Sequence, residues 1–221
     1  MGARLHFEYA SALAWWWICM AVIATADSTA EVELWSRLVH LSVGLLPGIM
    51  YHLNVALAGL EDRFRTRIRV HWGVSVLVTL FALSLPGFFL EPSQFVWGLY
   101  PRYSFWGLVV IAHYVVVMPG IVNVFRSGLS LDDSRTARHG KGRTYVVANV
   151  LGILATVDFL AAYGIAVYPL GYIVALSIMA LVLHGSFRHK LVEFTPEYAA
   201  EHVLKEMPDG LIVVDTRGVV Q

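Results

Sequence analysis

Long apolar stretches separated by short polar segments dominate the sequence. Stretches of roughly 18 residues or more are taken as membrane spans, because about 20 helical residues cross a ~30 Å hydrocarbon core. Spans are predicted at about 9–26, 35–60, 70–90, 103–125, 144–163 and 167–187. An unpaired backbone amide in lipid is costly and no barrel-like alternation is present. The pattern therefore predicts an all-α polytopic membrane helix bundle of about six transmembrane helices.

Composition agrees with a membrane location. Apolar types make up 57% of the 221 residues, charged types 14%, and the mean hydropathy is +0.64. A soluble globular domain carries about 25% charged residues. The single cysteine, Cys19, excludes an intrachain disulfide and a paired-cysteine metal site.

Basic residues occur in alternate loops between the predicted spans. They are Arg63, Arg65, Arg67, Arg69, Arg126, Arg135, Arg138, Lys141, Arg143, Arg188 and Lys190. Cytoplasmic loops carry an excess of Lys and Arg. The distribution predicts a multi-pass membrane protein with both termini cytoplasmic. The aromatic segment Glu91–Trp106 is then predicted on the outer face, as an anchoring belt at the headgroups.

The first apolar stretch also has features of a signal peptide. Arg4 precedes it and Ala24-Thr25-Ala26 resembles a cleavage site. Glu8 and three consecutive tryptophans favour a retained membrane helix.

The composition changes after the sixth span, at Arg188. The sequence Thr195-Pro196-Glu197 is typical of a helix start, with a capping hydroxyl and a proline in the first turn. A turn at 207–210 and an apolar run at 211–215 predict a hairpin strand. We predict a transmembrane bundle over 1–188, a cytoplasmic linker helix over 189–206, and the start of a truncated domain over 207–221.

Two parts of the chain resemble known families. Residues 206–218, EMPDGLIVVDTRG, resemble the opening of a PAS domain, so the final segment is expected to begin an α/β fold. The membrane part resembles the N-terminal seven-transmembrane sensor region of bacterial histidine kinases, in residues 46–53, 97–101 and 163–171. The resemblance implies a membrane-embedded, signal-sensing input module of a two-component histidine kinase, located in the bacterial inner (plasma) membrane. The implied partners are the lipid bilayer, a second copy in the full-length protein, and a small-molecule or membrane-derived signal.

Polar residues inside spans are the candidate signal-sensing positions, because each is costly in hydrocarbon. The candidates are Asp158, His52, His113, His40, Tyr163 and Tyr168. Asp158 is the only acidic residue in a predicted span. It is either a charge or proton partner near the two tyrosines, or a structural hydrogen-bonding group between helices. For the histidines, hydrogen bonding between helices is the alternative to a functional role.

Three other functions remain as alternatives. The same input module occurs with a diguanylate cyclase output. Histidines on facing helices could hold a haem, as in a membrane cytochrome. Breaks at Pro47-Gly48, Pro86-Gly87 and Pro119-Gly120 also occur in small-solute carriers. No P-loop, nucleophile elbow or zinc spacing is present, so we expect no catalytic domain in this chain, no cofactor and no nucleic-acid partner.

Overall fold

The computed structural model describes residues 2–129, 156–174, 176–177 and 180–181. The prediction of a mostly helical protein is confirmed for the described residues. Within the described residues, four helical stretches are long and apolar enough to cross a membrane: Arg4–Ala24, Thr29–Leu57, Glu61–Ser84 and Phe105–Ser127. Large apolar side chains such as Leu77, Val115 and Val116 are more than half exposed along them. Such exposure suits a surface that faces lipid.

The elements follow one another in chain order with one β-hairpin among the helices. The helices are α1 (Gly2–Ala24), α2 (Thr29–Val43), α3 (Leu46–Leu57), α4 (Glu61–Ser84), α5 (Leu108–Leu129) and the short α6 (Asp158–Ala162). A 3-10 turn, Phe105–Gly107, precedes α5. The hairpin consists of β1 (Phe89–Phe95) and β2 (Gly98–Tyr103). Residues 171–174 are also helical.

The second predicted span consists of two helices, α2 and α3, joined at residues 44–45. The Ser28 hydroxyl caps α2 by accepting a hydrogen bond from the Glu31 amide at 3.2 Å. Pro47 lies in the first turn of α3, where a missing amide costs little. The amide of Gly48 instead donates to the Ser75 hydroxyl on α4, at 2.9 Å. The break between α2 and α3 is therefore bridged by a neighbouring helix.

The predicted span boundaries at 90 and 103 were wrong. The stretches 70–90 and 103–125 were expected to be helical throughout, but α4 ends at Ser84 and residues 89–103 form the antiparallel hairpin. Pro86 cannot continue the helical hydrogen-bond ladder. Gly87 has a φ of 75°, which turns the chain toward β1. The aromatic segment predicted as a belt is thus mainly a paired β structure.

The hairpin covers one end of the helix bundle, called the hairpin end below. Strand β2 packs on α1, α2 and α6. Arg37 of α2 donates to the Leu83 carbonyl at 3.0 Å and so satisfies an acceptor in the last turn of α4. The arginines at 63, 65, 67 and 69 are exposed in the first turns of α4, at the opposite end.

The fifth and sixth predicted spans are described in part. Within 144–163 the structure describes residues 156–163, which include α6. Residues 165–170 have no regular secondary structure, so the helix predicted from 167 begins at 171. The predicted linker helix at 189–206 and the PAS-like segment at 207–221 lie outside the described residues.

Candidate functional site

A half-open cavity of about 420 Å³ lies at the hairpin end between α1, the hairpin, and residues 158–172 with Leu176. Its lining consists of Trp16, Trp17, Met20, Ala21, Ile23, Ala24, Trp97, Leu99, Tyr100, Asp158, Tyr168, Pro169, Tyr172 and Leu176. Small-molecule sites in proteins typically occupy about 300–1,000 Å³ and are mostly apolar with a few placed polar groups. This hairpin-end cavity has both properties.

Helix α1 contributes one continuous face to the cavity. Trp16, Met20 and Ile23 follow one another at spacings of four and three, and the neighbouring stripe is Trp17, Ala21 and Ala24. These spacings place residues on one side of a helix. Trp15 is not part of the lining; its indole Nε1 donates to the Leu38 carbonyl at 2.9 Å. Trp15 therefore bonds to α2, whereas Trp16 and Trp17 form part of the cavity wall.

Aromatic contacts fix the opposite wall of the cavity. The Trp97 ring stacks on Phe95, with centroids 4.6 Å apart and an interplanar angle of 13°. Tyr168 meets the Trp97 ring edge-on, at 5.4 Å and 75°. Offset stacked and edge-to-face pairs are the favoured arrangements for aromatic rings. The hairpin and the segment after α6 are thus joined through the cavity wall.

Asp158 is the one charged side chain among the described lining residues. Its Oδ1 accepts a hydrogen bond from the Gly171 amide at 2.7 Å, which closes the loop between α6 and the helical residues 171–174. A Cβ on Gly171 would lie 2.6 Å from the Asp158 Cγ, so this bond requires glycine there. The carboxyl group therefore has a structural partner and also lines the cavity.

Tyr100 connects the hairpin to α6 below the cavity. Its hydroxyl donates to the backbone carbonyl of Asp158 at 3.4 Å. Burial, with a smaller contribution from the negative charge of Asp158, raises the pKa of the Tyr100 hydroxyl. The hydroxyl stays protonated at neutral pH and can keep donating this bond.

His40 is fully buried in a separate aromatic cluster with Phe88, Phe89 and Tyr103. Its Nδ1 lies 2.7 Å from the Ser36 carbonyl, and its Nε2 lies 3.1 Å from the Tyr103 hydroxyl. A carbonyl only accepts, so we assign the proton to Nδ1, and Nε2 accepts from Tyr103. Both ring nitrogens are occupied, which makes His40 a structural link between α2 and the hairpin.

His113 has a different environment inside the bundle. Its ring stacks on His71 with centroids 5.8 Å apart and an interplanar angle of 11°, and the Tyr51 ring lies 4.2 Å from that of His71. Neither His113 ring nitrogen has a hydrogen-bond partner in the described part of the chain, although the residue is only 6% exposed.

The other two candidates also lie apart from the cavity. His52 accepts from the Trp72 indole at Nδ1, at 3.3 Å, and its Nε2 lies 3.8 Å from Glu61 at the start of α4. Tyr163 packs edge-on against Tyr103 at 5.9 Å. The structure therefore brings Asp158 and Tyr168 together at one cavity. Of the predicted histidines, His40 lines a small adjoining space that Asp158 and Tyr100 also line, and His52 and His113 lie elsewhere.

Sequence reasoning missed most of the cavity wall. Trp16 and Trp17 stood out only as part of an unusual cluster, and Trp97 and Tyr100 only as interfacial aromatics. The stretches that carry the family resemblance, 97–101 and 163–171, include five of the lining residues: Trp97, Leu99, Tyr100, Tyr168 and Pro169. The overlap between these two stretches and the cavity lining was the signal in the sequence that could have indicated the site.

Metal-ligating side chains do not cluster in the part of the chain that the structure describes. Within it, no group of three or more His, Cys, Asp or Glu side chains could hold a metal ion. Both ring nitrogens of His40 are engaged by hydrogen bonds.

Comparison with known proteins adds no further assignment. No protein-family model, curated protein or solved structure matches this chain.

Proposed function

We propose that the chain is the membrane-embedded, signal-sensing input module of a bacterial sensor protein. The output is a two-component histidine kinase reached through a cytoplasmic PAS domain. In this proposal the hairpin end faces outward, both termini are cytoplasmic, and the cavity is where the signal is received.

One observation carries the proposal: three segments distant in sequence share the cavity wall. Helix α1, strand β2 and residues 158–176 each contribute side chains. The last segment continues toward the C-terminal part of the chain. A molecule that occupies the cavity would contact all three segments at once. A ligand shifts a conformational equilibrium only through different interactions with the two states. A ligand in contact with all three segments would interact differently with two states in which the segments are placed differently.

Filling the cavity tests this function. Ala21→Trp adds a large ring to the lining face of α1, and Ala14→Trp adds the same ring to an exposed position on the same helix. Both variants would be made in the native protein and read through a transcriptional reporter of its pathway, with membrane levels checked by immunoblot. We expect Ala21→Trp to change basal output at least threefold and Ala14→Trp to leave it unchanged. Equal output from both variants and wild type would contradict a sensing role.

The identity of the output needs its own assay. Membrane vesicles carrying the native protein should incorporate the γ-phosphate of ATP into an acid-labile phosphohistidine. Synthesis of cyclic diguanylate from GTP would instead favour the diguanylate cyclase alternative.

Sidedness is tested by cysteine labelling in a Cys19→Ser background. Thr66→Cys lies among the exposed arginines of α4, and Gln94→Cys is exposed on the hairpin. We expect a membrane-impermeant maleimide to label position 94 in intact cells and position 66 only after lysis. The reverse pattern would place the cavity on the cytoplasmic side and overturn the proposed direction of signalling.

A further inference from the structure

We propose that the hairpin-end cavity binds a small organic cation, an amine or quaternary ammonium with an apolar body. This inference rests on the proposed sensing function and names the class of ligand for that same cavity.

The lining is unusually rich in aromatic rings. Six of the described lining residues are aromatic: Trp16, Trp17, Trp97, Tyr100, Tyr168 and Tyr172. The face of such a ring attracts a cation through its quadrupole, and tryptophan does so most strongly. Sets of several aromatic rings around one space are the usual recognition device for quaternary ammonium groups.

The charges in the lining point the same way. Asp158 supplies a carboxyl group, and the described lining contains no Lys, Arg or His. An anionic ligand would therefore meet the Asp158 carboxyl group and no cationic side chain of the described lining. A neutral apolar ligand would displace water from around the carboxyl group without replacing its interactions. A cation instead offers this group a partner of opposite charge.

The carboxyl group is held in place before any ligand arrives. Its Oδ1 accepts from the Gly171 amide, and the Tyr100 hydroxyl holds the Asp158 backbone carbonyl. Preorganised polar groups cost less to order on binding. Cation binding would therefore act directly on the loop between α6 and residue 171, because the Asp158 side chain closes that loop.

A volume of about 420 Å³ accommodates a compact organic cation or the ammonium part of a lipid headgroup. The proposal commits to a soluble cation as the occupant, and competition by phosphatidylcholine tests the lipid source.

Two probes that differ only in charge test the ligand class. Benzyltrimethylammonium and its neutral isostere neopentylbenzene have nearly the same shape. Binding of each to the full chain would be measured by equilibrium dialysis in dodecyl maltoside, a detergent without charge or amine. We expect saturable binding of the cation, with an affinity at least tenfold higher than that of the isostere. Equal affinities, or no saturable binding of the cation, would overturn the proposal.

Substitutions locate the site. Asp158→Asn keeps an oxygen that can accept from the Gly171 amide while removing the charge, and should weaken cation binding about tenfold. Glu91→Gln removes an exposed carboxyl group of the hairpin and is the matched control. Tyr168→Leu removes a ring that is 50% exposed, so folding should tolerate it, and it should also weaken binding. Phe105→Leu, an exposed ring outside the lining, should not. Unchanged cation binding in both cavity variants would place the site elsewhere.

A competition experiment distinguishes a soluble cation from a lipid headgroup. Comparing probe binding with signalling distinguishes a failure of the ligand class from a failure of the sensing function. Phosphatidylcholine added to the detergent should not compete with the probe, and competition would contradict the choice of a free cation. If the probe binds but Ala21→Trp leaves signalling unchanged, the sensing function fails while the ligand class stands. If Ala21→Trp alters signalling but no cation binds, the ligand class fails alone.

Discussion

The surroundings of His40 and His113 show two different ways of burying a histidine in this protein. At the hairpin end, His40 joins the Ser36 carbonyl to the Tyr103 hydroxyl, and its ring lies among three aromatic side chains. Inside the bundle, His113 stacks on His71, and its ring nitrogens have no hydrogen-bond partner in the described residues. Both side chains are at least nine-tenths buried. Burial alone therefore does not distinguish a histidine with two hydrogen-bond partners from one that has none among the described residues.

The difference has an energetic consequence. A paired buried polar group contributes about 0.5–1.5 kcal/mol net, while removing one partner exposes the other to a penalty of about 1–3 kcal/mol. An unpaired group has already incurred that penalty in the folded state. Replacing His40 should therefore destabilise the protein, and replacing His113 with an apolar residue of similar size should not.

The largest effect is expected from His40→Leu. The substitution leaves the Tyr103 hydroxyl without its acceptor in a buried cluster, and it also alters packing against Phe88 and Phe89. We expect a loss of about 3 kcal/mol in the free energy of unfolding. Thermal unfolding in detergent, followed by tryptophan fluorescence, would measure it, with the exposed Leu41→Ala on the same helix as control. A variant as stable as wild type would show that the hydrogen-bonded link is not needed.

A smaller loss is expected from Tyr103→Phe. The ring and its contacts remain, but the His40 Nε2 loses its hydrogen-bond donor. We expect the free energy of unfolding to fall by about 1–2 kcal/mol. Tyr172→Phe, at a tyrosine that is 43% exposed, is the matched control and should change stability little. If both variants lose the same amount, hydroxyl removal in general explains the effect and the His40 link does not.

The smallest effect is expected from His113→Leu. The apolar side chain has a similar volume and removes two buried nitrogens that lack partners in the described residues. We expect the free energy of unfolding to change by less than about 0.5 kcal/mol, or to rise. The same unfolding assay measures it. A loss above about 2 kcal/mol would show that the His113 nitrogens have partners after all, and the contrast with His40 would disappear.

The wrong boundaries at 90 and 103 have one physical cause. The stretch around Phe88, Phe89 and Leu90 is as apolar as a membrane helix, and a short apolar run alone does not separate strand from helix. The proline and glycine at 86 and 87 indicate a break, but a break does not specify whether the next element is a strand or a helix. Phe88 is fully buried against His40, so packing in the aromatic cluster decides the outcome.

Features that depend on local length, composition and capping could be predicted from the amino-acid sequence alone. Apolar runs long enough to cross a bilayer predicted the helical membrane architecture, because hydrocarbon leaves the backbone no partner outside the helix. The sequence also restricted the acidic candidates within predicted spans to Asp158. The meeting of particular polar and aromatic side chains, in contrast, depends on the folded chain. Trp16, Trp97 and Tyr168 are separated by tens of residues and share the cavity wall because α1, β2 and the segment after α6 pack at one end. Such contacts depend on helix rotation and on the hairpin register, which the hydropathy pattern does not encode.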